Sequence, residues 1–284
     1  MTQKSILIQN KQVYYTIRGS GQPVVLVHGF GEDSNVWEQQ LEDLSKNYQL
    51  IIPDLPGSGK SEMLEDMSMD GMADCVKQII DREIPPGNNA GSSNSGKPVM
   101  IGHSMGGYVT LAFAEKYPDM LPGFGLFHSS AFADNEEKRT ARRRSIEFIQ
   151  THGSAAFIRQ STPNLFTEDY RIKNNAVVEE MMARYSTFEP AALIAYYEAM
   201  IQRPDRTAVL QSFSKPVLFI IGKHDKAIPF EDSMKQCHLP ALASIQILEK
   251  AAHMGMWEET EKSNQALLSF LAYVQQFNLH GTSE

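Results

Sequence analysis

The segment Pro98-Val99-Met100-Ile101-Gly102-His103-Ser104-Met105-Gly106-Gly107-Tyr108 constrains this chain more than any other. An apolar run leads into it. A helical pattern, Tyr108-Val109-Thr110-Leu111-Ala112-Phe113-Ala114, leads out. Gly102-His103-Ser104-Met105-Gly106 fits the G-x-S-x-G pattern, in which a serine sits on a strained strand-to-helix turn. The glycines have a steric cause. Strand and helix back closely onto each other, so a Cβ two residues either side of the serine would collide. The turn lifts Ser104 Oγ clear of the sheet and aims the Met105 amide into the same space. Five residues alone also fit an ordinary glycine-rich loop with an idle serine; the flanking patterns favour the turn.

The rest of the chain alternates strand and helix around that segment. Residues 4–18 read as two antiparallel strands about Gln9-Asn10-Lys11, the second rich in β-branched and aromatic residues. Val24-Val25-Leu26-Val27 is continuously apolar, as a strand covered on both faces must be. It ends at His28-Gly29-Phe30-Gly31, before a helix over about 36–44. Leu50-Ile51-Ile52 runs into Asp54-Leu55-Pro56-Gly57-Ser58-Gly59-Lys60-Ser61. A helix covers about 69–82, and the low-complexity stretch 85–97 reads as a flexible surface loop. Phe124-Gly125-Leu126-Phe127 is another buried strand.

Between 131 and 210 no strand pattern occurs. Asp134 is placed to cap a helix running to about Gln150, with Gly153 as its stop. Further helices cover about 168–186 and 190–202. Strands resume at Pro216-Val217-Leu218-Phe219-Ile220-Ile221 and Ile245-Gln246-Ile247-Leu248, and a helix over about 257–276 follows. This alternation predicts a mostly parallel sheet covered by helices.

Composition excludes several classes of partner. A net charge of −8 argues against nucleic acid or an anionic membrane surface. No run approaches the ~18 apolar residues of a membrane span. Cys75 and Cys237, the two cysteines, provide neither a disulfide framework nor a metal cluster. A reduced, cytoplasmic protein is the expectation. The Lys60-Ser61 pair has Asp54 where a phosphate loop needs glycine, and Gly102–Gly107 lacks a dinucleotide pattern. No metal and no organic cofactor is expected.

In parallel sheets, functional groups gather at the carboxyl ends of the strands. Here those ends carry His28-Gly29-Phe30-Gly31, Ser104, Asp225 and His253. Serine catalysis needs a base in reach and a third group to orient it. The order Ser104, Asp225, His253 is the one expected of a G-x-S-x-G enzyme. Other strand-end residues have milder readings. His103 should point away from its serine, His224 is too close to Asp225, and His128 could line a pocket. Asp54 stabilises its own turn. Arg142-Arg143-Arg144 reads mainly as a solvated helix face, with carboxylate binding a minor alternative. Phe132, Phe148, Phe157, Met181, Met182, Tyr196, Tyr197 and Met200 could cover a pocket with apolar surface.

Taken together, these blocks resemble the α/β-hydrolase fold family, in its lid-bearing subgroup of small serine esterases. Val24–Gly31 with Trp37 looks like the family's oxyanion-loop block. Asp54–Ser61 is similar to its D-x-x-G-x-G-x-S turn. Gly222-Lys223-His224-Asp225 with Pro229 looks like its acid loop, and His253 with Glu258 like its histidine segment. The resemblance implies an eight-stranded, mostly parallel sheet flanked by helices, with a helical lid after the sixth strand. The core would be 1–130 and 211–284, the lid 131–210. It also implies roles. Ser104 would be the nucleophile, His253 the base and then acid, and Asp225 its orienter. The amides of Phe30 and Met105 would form an oxyanion hole. His28, Gly29 and His128 would border the substrate, His28 bracing its loop rather than reacting. The implied substrate is a small-molecule ester or related acyl compound. Carbon–carbon bond hydrolysis, acyl transfer, peracid formation and ligand sensing through a partner remain open alternatives, as does the oligomeric state.

Overall fold

The structure, a computed structural model, describes residues 2–84 and 96–280. Of the low-complexity stretch 85–97, residues 85–95 lie outside the described residues. Strands β1 (Thr2–Ile8) and β2 (Lys11–Arg18) form the expected hairpin. Its two turn residues, Gln9 and Asn10, have φ of 52° and 62°, the left-handed pair that suits the twist of a two-residue hairpin. Then come β3 (Gln22–Val27), α1 (Glu38–Leu44), β4 (Tyr48–Pro53), α2 (Met69–Glu83), β5 (Val99–His103), α3 (Met105–Lys116) and β6 (Phe124–Phe127). A helical stretch follows: α4 (Glu136–Ser161), α5 (Glu168–Lys173), α6 (Asn175–Tyr185), α7 (Pro190–Gln202) and α8 (Thr207–Ser212). The described chain closes with β7 (Val217–Gly222), α9 (Phe230–Gln236), β8 (Ala243–Leu248), α10 (Gly255–Glu258) and α11 (Thr260–His280).

Eight strands form one sheet in the order β1-β2-β4-β3-β5-β6-β7-β8. From β4 to β8 all neighbours are parallel; β1 and β2 pair antiparallel at one edge. The central strands are apolar throughout because helices cover both faces. Val24 to Val27 and Val99 to Ile101 are all inaccessible. Helix α3 is apolar nearly all round for the same reason and buries everything from Met105 to Ala114.

The helical stretch departs from expectation in detail. Helix α4 is capped by Asn135, whose side chain accepts from Lys138 N–H, and not by Asp134. Asp134 is buried instead against Arg142 and Arg203. Gly153, with φ of 80°, kinks α4 without ending it, since helical geometry resumes on its far side. The helix expected over 168–186 is two, broken at Asn174. Trp257 and its neighbours form the short α10, separate from α11. Among the described residues, no helix is long and apolar enough to cross a membrane.

Candidate active site

The turn between β5 and α3 has the geometry that its sequence demands. Ser104 has φ 50° and ψ −115°, a strained conformation for a residue with a side chain. Its amide donates to Phe127 O, and its carbonyl accepts from Gly107 N–H and the Ser129 hydroxyl. These three bonds hold the turn from β6 and from α3. A Cβ at Gly102 would meet the carbonyl of Gly106, and one at Gly106 the carbonyl of Val27. Strand, helix and the end of β3 are therefore as close as glycine permits.

Three side chains meet there. Ser104 Oγ lies 2.9 Å from His253 Nε2, and His253 Nδ1 lies 2.7 Å from Asp225 Oδ2. The other Asp225 oxygen accepts from the amides of Ala227 and Ile228 at 2.8 and 2.9 Å. Asp225 has no accessible side-chain surface. Burial pushes its carboxyl up, but the facing His253, with the Ile228 amide, brings it below the usual range. For His253, burial pushes down, while Asp225, with Glu32 and Glu258 further off, more than reverses this. The imidazole stands above its ordinary value.

The loop after β3 faces the same point. Phe30 borders the same cavity as Ser104, Met105 begins the helix that follows Ser104, and neither of their amides has a hydrogen-bond partner among the described residues. Glu32 braces the loop by accepting from Gly29 N–H at 2.7 Å. The buried His103 bridges Glu32 Oε2, at 2.9 Å, to the carbonyl of His253, at 3.0 Å. Both ring nitrogens of His103 face oxygen atoms. Burial drives Glu32 up and His103 more than offsets it, leaving the carboxyl below its ordinary value.

A cavity of about 320 Å³ opens above Ser104 and His253. The helical stretch forms much of its wall: Phe157, Met181, Tyr197 and Met200 border it, as the apolar pattern suggested. Phe30 packs edge-on to Phe157 and tilted on Tyr197, joining loop to helices. Tyr196 instead turns its hydroxyl to Pro56 O, at 2.6 Å, and ties α7 to the turn after β4.

Three expectations about this wall need correction. His28 does not border the cavity; its ring bridges Gly29 O and the Leu55 amide, at 2.8 and 2.9 Å. Gly29 is likewise behind the wall, its amide engaged by Glu32. His128 is fully buried behind Asp225, with the amides of Gly222 and Gly255 at 3.0 and 3.1 Å from its ring nitrogens. Burial holds it well below its ordinary value, as a neutral packing group. Conversely, Arg142 is no solvated residue. Its side chain is 18% exposed and borders the cavity. The spacing of Lys138, Ala141, Arg142 and Ser145, all on the cavity wall, is one helical face that the sequence already displayed.

A strained serine on a strand-to-helix turn, at the carboxyl ends of a mostly parallel sheet and followed by Asp and His in that order, defines an α/β enzyme of the hydrolase class. The chain belongs to the family described as alpha/beta hydrolase fold, whose sequence model matches residues 22–260. Among solved structures it is similar to a thermophilic esterase from Thermogutta terrifontis, with 29% identity and a TM-score of 0.86, covering 96% of this chain and 99% of that one. It is 27% identical over 261 residues to the dihydrolipoyllysine-residue acetyltransferase component of an acetoin cleaving system from Pseudomonas putida. That match covers 88% of this chain and 64% of the relative, just under two thirds of its length. It is 25% identical over 278 residues to a pimeloyl-[acyl-carrier protein] methyl ester esterase from Vibrio cholerae, covering 91% and 97%.

Proposed function

We propose that the protein hydrolyses small carboxylic esters through an acyl-enzyme on Ser104. The observation that carries this reading is the unbroken chain of contacts from Ser104 Oγ through His253 to Asp225. Asp225 fixes the tautomer: Nδ1–H donates to it, leaving Nε2 free to accept the serine proton. As that proton moves to Nε2, Ser104 Oγ attacks the acyl carbon. The oxyanion forms beside the amides of Phe30 and Met105, the latter at the amino end of α3, where the helix dipole favours negative charge. Collapse expels the alcohol, which takes the proton from His253. A water then repeats the sequence on the acyl-enzyme, releasing the carboxylic acid and restoring Ser104. The helices α4 to α7 act as a lid, excluding bulk water and shaping the acyl pocket. The Thermogutta terrifontis and Vibrio cholerae relatives are esterases by name, which supports an ester over a carbon–carbon bond as substrate.

Turnover of short 4-nitrophenyl esters tests the reading. Saturable hydrolysis by the wild type, lost in His253→Ala, is the expected result. Unchanged hydrolysis in His253→Ala would remove the base from the mechanism.

A further inference from the structure

The cavity wall carries more positive charge than ester hydrolysis requires. Lys138 and Arg142 reach it from α4, and Lys226 from the loop after β7. Among the described lining residues the one acid is Glu32, already engaged by Gly29 N–H and His103. Arg142 is held in place by Asp134, which meets both its Nε and its Nη2. The same carboxylate also takes Arg203, at 3.0 Å. One buried acid thus serves two guanidiniums, and the trio keeps a net positive charge. Arg203 is directed away, stacked on the Tyr108 ring at 3.8 Å, with its guanidinium bonded to Met200 O and Phe132 O. The uncompensated charge therefore falls to Arg142, whose Nη1 has no partner among the described residues. Lys226 makes no ion pair among those residues. Lys138 is only loosely matched, 3.8 Å from Asp232.

Apolar and aromatic walls surround these cations. Tyr197, whose ring centroid is 5.8 Å from the Arg142 guanidinium, Phe157 and Met200 limit solvation and strengthen any charge–charge contact. A guanidinium held by one edge, with its remaining N–H groups open, is suited to a carboxylate. We propose that the cavity contains an anion subsite at Arg142 and Lys226, and that the preferred ester is a half-ester whose acyl chain ends in a carboxylate. The subsite rests on the cation geometry; its link to catalysis rests on the hydrolase reading above.

The test compares acyl chains of equal length that differ only at the tip: monomethyl adipate and suberate against methyl hexanoate and octanoate. In the wild type, kcat/KM favours the half-esters by at least about tenfold at low salt, the scale of a charge-assisted contact. The preference shrinks as ionic strength rises. Arg142→Gln and Lys226→Gln each reduce the ratio, mainly through KM of the half-ester. A merely structural defect would slow both ester types together and leave the ratio alone. In Arg142→Gln the buried Asp134 still has Arg203 as its ion-pair partner. A wild type that prefers the neutral esters, or a ratio unmoved in both variants, would overturn the subsite. If no ester of either kind is turned over, the hydrolase reading fails and the subsite is read by calorimetry. Adipate then binds the wild type more tightly than hexanoate and loses that advantage in Arg142→Gln; equal binding of the two overturns it.

Discussion

His103 lies 3.0 Å from the carbonyl oxygen of His253, so the residue before Ser104 meets the backbone of the histidine that faces Ser104. Through its other nitrogen it meets Glu32, which in turn holds Gly29 N–H. One buried side-chain contact therefore joins the loop after β3, the β5–α3 turn and the histidine segment. None of these three is adjacent to another in the chain.

Glu32→Gln removes the charge and keeps the shape. The hydrogen bonds that this buried carboxylate accepts are charge-assisted, worth about 1.5–3 kcal/mol each, and denaturant unfolding should read a loss of that order. The folded Glu32 binds its proton less readily than the unfolded one. Its contribution to stability is therefore present above the unfolded pKa of ~4.3 and is lost as pH falls through the lower folded value. The wild type should lose stability over that acid range more steeply than Glu32→Gln. Parallel curves would contradict the pairing.

In the proposed mechanism His253 must be neutral to accept a proton from Ser104. Its pKa is raised, so the acid limb of kcat/KM should lie above the ordinary ~6.5, with activity falling as pH drops through it. Asp225→Asn removes the main cause of that rise and leaves burial opposed only by the more distant Glu32 and Glu258. The limb should then move to lower pH, while the rate falls by about four orders of magnitude, the scale known for serine proteases with this change. A limb that stays in place would show that Asp225 does not set the charge of His253.

Glu258 ties the helical stretch to the segment that carries His253. Its carboxylate accepts from Thr167 N–H at 2.7 Å, and from Ala252 and Met254 N–H at 2.8 and 3.3 Å. His253 N–H also donates to Leu165 O at 2.9 Å. Glu258→Ala leaves three amides without their acceptor, at a cost of about 1–3 kcal/mol each if they stay buried. Both kcat and the melting temperature should fall, and Glu258→Gln should restore part of each. Wild-type kcat in Glu258→Ala would show that this tie does not position His253.

Much of the site could be read from the chain because strand ends are local features. Ser104, Asp225 and His253 each follow an apolar run, and a parallel sheet brings such ends together whatever the loops do. Direction was harder to read than position. His128 also follows a strand, but it packs behind Asp225, where Gly222 and Gly255 enclose it. Asp134 and Asn135 are equally good caps locally. Arg203, far along the chain, draws Asp134 away from that role. Arg142 shares a run with Arg143, which is 53% exposed. Only the packing of α4 against α7 decides which of the two turns inward. The short α9, after Pro229, has too few residues to show a period.

The account turns on whether Ser104 is a nucleophile. A fluorophosphonate probe, followed by peptide mapping, measures this directly. The wild type should gain one label, on the peptide carrying Ser104, and Ser104→Ala none; His253→Ala should label more slowly by orders of magnitude. Labelling that is absent from the wild type, or that persists unchanged in Ser104→Ala, would contradict it.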